Sequence, residues 1–295
     1  MDAWILITFA AATFQTLRFV LQKRLSAREL SAAGATFARF IYSFPFALAI
    51  TLIYQQMRGF DWPQMAPSFW VHGAVGGVSQ ILATLMTVML LGRRNFAVGM
   101  TFKKTEVILS VIVGLLVLGD VVSWPAMGAV LVGLAGVLLL SKTAKGAGWD
   151  STAVALGLGS GLLFAISGVT YRGATLSVIS DDPFLRSSVS LALVTLFQTV
   201  AMLIWLGLRD RAQIGKVLAA WRRAGLIGVM SLFGSLSWFT AFTLQAAGLV
   251  NAVGQVELIL SIFVGRVIFG ERLTLREILG IATIGASVVV LVLVS

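Results

Sequence analysis

Long apolar stretches that lack Asp, Glu, Lys and Arg follow one another along the chain. Residues 62–92 form one such stretch of 31 residues, and residues 224–256 form another of 33. Because a helix that crosses a bilayer needs about 20 apolar residues at a rise of 1.5 Å each, these stretches predict membrane-spanning helices. The alternating segments of roughly ten residues that are typical of a membrane β-barrel do not occur in the sequence.

This pattern predicts an all-α polytopic membrane protein with ten transmembrane helices. The first span has no basic segment before it and no small-residue cleavage site, so we expect no cleavable signal. The connections are short, which leaves little of the chain outside the bilayer. The predicted spans cover residues 3–22, 34–54, 69–91, 96–118, 123–141, 152–172, 185–206, 223–245, 250–269 and 276–294.

The composition excludes the common soluble classes. Only 12% of the residues are charged and 58% are hydrophobic, whereas about a quarter of the residues in a soluble domain are charged. A soluble enzyme would therefore lack the charge to cover its surface, and a disordered chain needs low hydrophobicity. With no cysteine and a single histidine, His72, a thiolate or multi-histidine metal site is excluded. We expect neither a metal nor a cofactor.

The net charge of +10 indicates the orientation of the chain. Fourteen Lys and Arg residues fall in the loops after spans 1, 3, 5, 7 and 9, and only Arg58, Arg172 and Arg186 fall on the opposite side. Because basic loops stay in the cytoplasm, both termini are predicted on the non-cytoplasmic side of a bacterial-type inner (plasma) membrane. The charge therefore does not indicate a nucleic-acid partner. The basic loop 207–223 is either an amphipathic helix on the inner leaflet or only a topology signal.

The chain contains an internal repeat. Residues 104–114 match residues 255–265 at an offset of 151, and the match includes one glutamate in each segment. Each half has five spans, an odd number, so the halves must cross the membrane in opposite directions. We therefore predict one membrane domain built from two inverted five-helix repeats, residues 1–145 and 146–295. Such repeats are typical of transporters that bind substrate near the midplane between the halves.

A short loop motif adds a family resemblance. The sequence Gly270-Glu271-Arg272, with Arg39-Phe40 in span 2 and the ten-span pattern, resembles EamA-type carriers of the drug/metabolite transporter superfamily. The resemblance covers essentially the whole chain. It implies a secondary carrier of the subtype that exports amino acids and other metabolites.

The chain departs from this family's pattern in three respects. Members often carry a proline directly after each repeat glutamate, where this chain has Val107 and Leu258. The first repeat has Asp120 in the loop where the second has a glutamate. Many members also have cytoplasmic termini, opposite to the orientation that the basic residues predict. The bending of these helices and the direction of transport are therefore left open.

Two acidic residues lie deep in predicted spans. Glu106 precedes Asp120 by 14 residues, and Glu257 precedes Glu271 by the same number. Each glutamate therefore lies about 20 Å from its loop, near the middle of the bilayer. A charge at that depth costs at least about 2.5–3.5 kcal/mol and usually faces a cavity or a partner.

These acids and their neighbours form a candidate substrate or coupling site. Lys104 would bind a carboxylate, and Glu106 would bind an ammonium group or a proton. Lys103 and Glu106 lie on one helix face and can form an ion pair. The alternative is that these charges only hold the helices together. In the second repeat Gln255 replaces the lysine near Glu257, which makes the site asymmetric.

Polar and aromatic residues of other spans complete the predicted cavity. Trp238 lies mid-span, and its indole N–H needs an acceptor, for which Gln80, Thr84 and Gln245 are candidates. Its ring could stack on an aromatic or cationic substrate, although ordinary packing is the alternative. The other predicted cavity residues are Gln15 and Tyr42.

Four further polar side chains are expected nearer the membrane surfaces. Arg18 is expected to extend toward the inner surface along its aliphatic stem, and the alternative is that it lines a polar path. Arg39 and Arg266 are expected near cytoplasmic span ends, as interface or gate residues. His72 is expected to be capped or solvated at the outer end of its span.

Glycine spacing predicts close helix packing in two pairs of spans. A GxxxG pair occurs in span 3 and another in span 6, both in helices that are expected to move. Spans 5 and 10 carry further glycines and are expected to form a static scaffold. The glycines concerned are Gly73 and Gly77, Gly157 and Gly161, and Gly133 and Gly285.

These observations favour a secondary transporter that exports small metabolites. Amino acids, aromatic ones included, are the leading substrates, carried by alternating access between the halves. The near alternative is a proton-coupled exporter of cationic drugs. A membrane-embedded enzyme is disfavoured, because the sequence has no His/Asp cluster and no glycine-rich phosphate loop. The expected partners are a small-molecule substrate, the bilayer and, in the alternative, protons, with the protein a monomer or weak oligomer.

Overall fold

The computed structural model describes residues 2–93, 105–141, 151–269 and 275–294. The regular structure of these residues is helical, apart from one isolated bridge between Met65 and Val178. In chain order the helices are α1 Ala3–Ser26, α2 Ala32–Arg58, α3 Ser68–Arg93, α4 Glu106–Leu118, α5 Trp124–Ser141, α6 Ser151–Leu176, α7 Pro183–Arg209, α8 Arg211–Ala219, α9 Trp221–Leu244, α10 Ala247–Val253, α11 Val256–Phe269 and α12 Leu275–Val294.

Seven helical segments in this part of the chain are long and apolar enough to cross a membrane. They are α1, α2, α3, α6, α7, α9 and the combined segment Ala247–Ile268. Three shorter apolar helices lie within α4, α5 and α12. The prediction of an all-helical polytopic membrane protein is thus confirmed, while the count of ten spans and the inverted repeat stay predictions. Of the predicted span 96–118, residues 96–104 lie outside the described residues.

The predicted span 250–269 is not one continuous helix, which corrects the sequence interpretation. Helix α10 ends at Val253, and α11 begins at Val256. Tighter turns satisfy the backbone at the break, where the Gln255 N–H donates to Ala252 O at 3.2 Å and the Glu257 N–H to Gly254 O at 3.0 Å. A Cβ on Gly254 would lie 2.6 Å from the Trp238 ring, so the break lets the backbone approach that indole closely. Broken helices of this kind are tolerated in membranes where they are enclosed by protein.

Local sequence signals explain where several helices begin and end. Ser31 caps α2, because its hydroxyl accepts a hydrogen bond from the Gly34 N–H at 3.1 Å. Asp182 caps α7 in the same way, just ahead of a proline that suits the first helical position. Gly59 and Gly119 follow α2 and α4 with φ of 67° and 69°, a left-handed conformation that favours glycine.

The helices pack most extensively in four pairs. Helix α3 packs on α6, α1 on α9, α2 on α7, and α5 on α12. The basic loop 207–223 contains α8, whose Gln213 and Val217 are buried against the protein. These contacts place α1, α2, α3, α6 and α9 around a shared interior.

The glycines that were predicted to support packing behave differently from one another. A Cβ on Gly77 would lie 2.8 Å from the Phe197 ring of α7, and one on Gly133 would lie 2.6 Å from Ser287 Oγ of α12. Gly73 contacts α7 less tightly, while Gly157 and Gly161 are buried on α6. For Gly285 the prediction is wrong, because no described atom lies within 4 Å of the added Cβ position. Of the two predicted glycines at the α5–α12 contact, Gly133 of α5 makes the close approach.

Candidate functional site

A small cavity, with about 40 Å³ of room for the centres of water-sized molecules, lies between α1, α2, α3, α4, α6, α9 and α10. Its wall combines charged groups, small polar groups and aromatic rings. The lining residues are Gln15, Arg39, Gln80, Glu106, Phe164, Ser167, Gly168, Tyr171, Ser235, Trp238, Phe239, Phe242 and Asn251.

Arg39 of α2 lies in the wall of this cavity and is only 5% exposed. Its Nε donates to Ser231 Oγ at 3.0 Å, and its Nη2 donates to Ser235 Oγ at 3.2 Å, both on α9. Its Nη1 donates to Thr84 Oγ1 of α3 at 2.7 Å. The side chain is therefore enclosed instead of lying at an interface, while a gate role near the cytoplasmic end stays a prediction. Because α2 starts at Ala32, Arg39 lies about two turns inside the helix, where α3 and α9 enclose it.

The Gln80 amide completes the Arg39 network when its oxygen faces the guanidinium. In that orientation the oxygen accepts from Nη1 at 3.0 Å and from Nη2 at 2.9 Å, and the nitrogen donates to Ser167 Oγ at 2.5 Å. Ser167 lies on α6, so the network joins four helices. It fixes the planar guanidinium at the edge of the cavity with neutral oxygen atoms alone.

A second network joins α1 to α11 behind the cavity. Gln15 donates from Nε2 to Glu257 Oε1 at 3.0 Å and accepts from Arg18 Nη2 at 3.3 Å. Arg18 also interacts electrostatically with Glu257 and with Arg39. Glu257 is completely buried, and Arg18 is 2% exposed. The expectation that Arg18 extends toward the inner surface is therefore wrong, because Glu257 supplies an opposite charge within the protein.

Glu106 lines the cavity from the first turn of α4 and is 6% exposed. Glu257 occupies the equivalent position in the first turn of α11. The amino-terminal end of a helix favours a negative charge, so the place of each acid in a first helical turn offsets part of its burial cost. The predicted partners Lys103 and Lys104 lie outside the described residues, as does the motif formed by Gly270, Glu271 and Arg272.

Aromatic rings form the apolar side of the cavity. Trp238 and Phe242, one turn apart on α9, stack with ring centres 5.6 Å apart. Tyr171 and Phe239 lie 4.3 Å apart, and the Tyr171 hydroxyl accepts from Gln198 Nε2 at 3.0 Å. The indole Nε1 of Trp238 is buried without a hydrogen-bond acceptor among the described residues.

The predicted acceptors for Trp238 have other partners. Thr84 accepts from Arg39, Gln80 contacts Ser167, and the Gln245 side chain accepts from the Ala246 N–H. The indole prediction is therefore wrong about the partner, although it placed Trp238 in the cavity.

Four predicted cavity residues do not line it, and Glu257 of the second network is one of them. The Tyr42 hydroxyl donates to Val217 O at 2.9 Å, which ties α2 to α8. Thr84 lies behind the Arg39 guanidinium. Gln255 points toward Gly133, whose added Cβ would lie 2.7 Å from Gln255 Nε2, and its amide atoms have no partner in the described part of the chain. In each case the side chain points toward a neighbouring helix instead of the cavity.

Sequence interpretation missed several residues of the site. Ser231 and Ser235 share one face of α9 with Trp238, at the spacing of successive helical turns. Ser167 and Tyr171 share a face of α6 in the same way. Such polar positions at intervals of three or four in an apolar span were the available signal. Asn251, on the short α10, carried no comparable pattern.

Ion pairs lie toward both ends of the bundle. Arg172 of α6 contacts Asp120, after α4, with Nε to Oδ2 at 3.1 Å, and also donates to Phe242 O at 2.8 Å. At the opposite end, Arg223 of α9 forms an ion pair with Glu29, in the connection between α1 and α2. His72 lies against Gly173 of α6, and its Nδ1 is buried without a partner among the residues described. The side chain is half-buried, with its ring packed against α6.

The described residues contain no group of three or more His, Cys, Asp or Glu side chains that could hold a metal ion. The side chains that line the cavity can contact a ligand through charge, hydrogen bonding and stacking. An arginine, a carboxylate and an aromatic wall face the same space. That combination is suited to a small molecule that carries both charged and apolar groups.

Comparisons with known proteins extend this description. The EamA-like transporter family matches residues 2–142 and again residues 151–293. A solved structure, named only "Crystal structure of protein", aligns with a TM-score of 0.71 over 99% of this chain and 97% of its own, at 16% identity. At that identity the likeness shows the fold alone. The curated proteins give no match.

Proposed function

We propose that this chain, which belongs to the EamA-like transporter family, is a secondary carrier that exports small zwitterionic metabolites, amino acids in particular. Family membership confirms the resemblance of the sequence at the family level. It identifies a multi-pass membrane transporter of small molecules rather than an enzyme. The substrate class is our proposal, and the observation that carries it is the cavity in which Arg39, Glu106 and aromatic rings converge.

The arrangement of charges supports an amino acid as substrate. Arg39 places a positive charge in the cavity wall, where a carboxylate would replace one of its neutral acceptors, and Glu106 offers an acceptor for an ammonium group. Trp238 and Phe242 offer a stacked apolar surface for a side chain. Lys104, which precedes Glu106 by two residues, remains a candidate second site for the carboxylate on sequence grounds.

The helix pairing supports an inverted repeat. With α1 to α7 as spans 1 to 7, α9 as span 8, α10–α11 as span 9 and α12 as span 10, the repeat relates span 1 to 6 and span 3 to 8. The α1–α9 contact then corresponds to the α6–α3 contact, while the α2–α7 and α5–α12 contacts map onto themselves. The separate family matches to residues 2–142 and 151–293 agree with this division. We propose alternating access between these halves.

The ion pairs at the two ends provide candidate closures for such a cycle. Arg172 links α6, the segment after α4 and the carbonyl of Phe242, which itself lines the cavity. Glu29 and Arg223 link α9 to the connection before α2. We propose that the Arg172–Asp120 contact opens on the non-cytoplasmic side when substrate leaves, and that the Glu29–Arg223 contact opens when it enters.

The orientation can be tested with a matched pair of cysteine variants, because the natural chain contains no cysteine. Arg28→Cys and Asp61→Cys each place one thiol at an exposed position on opposite faces. If the basic loops are cytoplasmic, an impermeant maleimide labels Asp61→Cys in intact cells and reaches Arg28→Cys only after lysis. The reverse pattern would contradict the proposed inner-membrane orientation.

Counterflow in proteoliposomes tests the proposed transport directly. Vesicles containing the full chain are loaded with unlabelled L-phenylalanine and diluted into a trace of the labelled amino acid. A carrier accumulates label inside transiently by exchange, whereas protein-free vesicles do not. Competition by other amino acids then defines the substrate range. Label that stays at the protein-free level for every amino acid would overturn the proposed function.

The alternative is proton-coupled export of organic cations. It is favoured by one observation, the carboxylate of Glu106 in a cavity with an aromatic wall. The same vesicles, given tetraphenylphosphonium and an imposed proton gradient, distinguish the two. Cation movement that collapses without the gradient, together with no amino-acid counterflow, would favour this alternative.

A further inference from the structure

The positive charge of Arg39 is not balanced by an acid in the described part of the molecule. All of its hydrogen-bond partners there are neutral: Ser231, Ser235, Thr84 and the amide oxygen of Gln80. The side chain is nevertheless only 5% exposed. These bonds occupy all five N–H donors of the guanidinium. They bring no opposite charge, however, to offset the cost of removing the cation from water.

Two other arginines each interact with an acidic side chain, which is the usual arrangement for an arginine inside a protein. Arg172 has the carboxylate of Asp120 at 3.1 Å, and Arg18 interacts electrostatically with Glu257. Arg18 also repels Arg39, so the second network adds positive potential at Arg39. Arg39 differs from both because the space beside it is the cavity, which an anion can enter.

The geometry points to Arg39 as the anchor for a carboxylate on the transported molecule, an inference that rests on the proposed function. The hydroxyls that accept from Arg39 retain their own protons, and a hydroxyl can donate while it accepts. Ser235 lines the cavity beside the guanidinium, so it can donate to the same anion. A carboxylate that enters would therefore replace a neutral acceptor, such as Ser235 or Gln80, on the guanidinium, because charge-assisted hydrogen bonds are the stronger ones.

This assignment defines a substrate class. A carboxylate is required at the Arg39 end, and the stacked pair Trp238 and Phe242 receives an apolar or aromatic body. A cation without a carboxylate would leave the arginine uncompensated and add a second positive charge. The site therefore selects for carboxylates, zwitterionic or anionic, and selects against simple amines.

Four phenyl compounds test the carboxylate requirement on the natural protein. L-Phenylalanine and 3-phenylpropionate carry the carboxylate, whereas L-phenylalaninamide and phenethylamine lack it. Binding is measured by ligand-dependent thermal stabilisation of the purified chain, and transport by inhibition of phenylalanine counterflow. We expect both carboxylates to bind at least tenfold more tightly than the two compounds without one, because a site built for a charged group rejects analogues that lack it.

Variants assign that preference to Arg39. In Arg39→Gln the tenfold preference falls to less than twofold, and Arg39→Lys retains an intermediate preference because it keeps the charge but loses the planar fork. Arg222→Gln is the matched control, since Arg222 is an exposed arginine on α9 that does not line the cavity. It should keep the full preference.

The outcomes separate this inference from the proposed function. Carboxylate binding without any transport would overturn the carrier and leave the anchor standing. Transport or binding with equal affinity for all four compounds, or an Arg39→Gln variant that keeps the preference, would overturn the anchor alone. Neither binding nor transport of any compound would overturn both.

Discussion

Glu106 and Glu257 are equivalent in sequence but differ in their surroundings. Both lie in the first turn of a helix, α4 or α11, at the offset of 151 that relates the two halves. Glu106 lines the cavity, whereas Glu257 is completely buried and accepts a hydrogen bond from Gln15. The difference teaches that a repeated acid can face a cavity in one segment and be enclosed between helices in the other.

The largest expected effect is on stability at Glu257. Glu257→Gln removes the charge opposite Arg18 within a dry interior, and an uncompensated buried charge costs about 3–5 kcal/mol. Thermal unfolding of the purified variant in detergent measures the loss. Glu29→Gln, at a partly exposed ion pair, is the control and should cost at most about 1 kcal/mol. If Glu257→Gln unfolded at the same temperature as the natural chain, Glu257 would have no structural role.

The next largest effect is on transport at Glu106. Glu106→Gln keeps the shape of the side chain but removes the charge that would bind an ammonium group, and charge-assisted hydrogen bonds are worth about 1.5–3 kcal/mol. Phenylalanine counterflow should fall at least tenfold, with a smaller loss of stability than in Glu257→Gln. If both variants lost stability equally and kept transport, the contrast between the two acids would disappear.

Gln15 tests the connection between the two regions, because it lines the cavity and also contacts Glu257 and Arg18. Gln15→Ala removes both hydrogen bonds, so we expect a loss of about 1.5 kcal/mol in stability together with a weaker substrate affinity. Combining it with Glu257→Gln in a double-mutant cycle measures their coupling in thermal unfolding. Strictly additive effects would show that the two residues act independently.

The smallest expected effect concerns the aromatic wall on the Glu106 side. Trp238→Ala removes a stacking partner of Phe242 and of the proposed aromatic substrate, an interaction worth about 0.5–1.5 kcal/mol. We expect the apparent affinity for phenylalanine to fall by two- to tenfold, while the affinity for alanine changes less. Counterflow competition between the two amino acids measures this, and an equal loss for both would argue against stacking.

The sequence predicted the helices well, because apolar length and charge placement determine what can cross a bilayer. It failed at residues whose type is compatible with more than one local structure. Gly254 is compatible with a continuous helix or with a break. The structure shows the break, because α10 ends at Val253 and α11 begins at Val256. With no proline in the segment, the pattern of hydropathy predicted one span instead of two helices.

The candidate site was predictable only in part. Trp238, Gln15 and Glu106 were identified because polar or amphipathic groups are rare in apolar spans. The sequence predicts Arg39 near a span end, but it does not show that α3 and α9 enclose the side chain. Hydropathy gives depth along one helix, but it does not say which neighbouring helices enclose a side chain. The serines of α9 that bind Arg39 carry too little polarity to stand out in a sequence.

A structure of the full chain with L-phenylalanine bound tests the central claim most directly. The account predicts the ligand in the cavity, with its carboxylate within about 3 Å of the Arg39 guanidinium. Its ammonium group should face Glu106, and its ring should lie against Trp238. A ligand found outside this cavity, or one whose carboxylate has no contact with Arg39, would contradict the account.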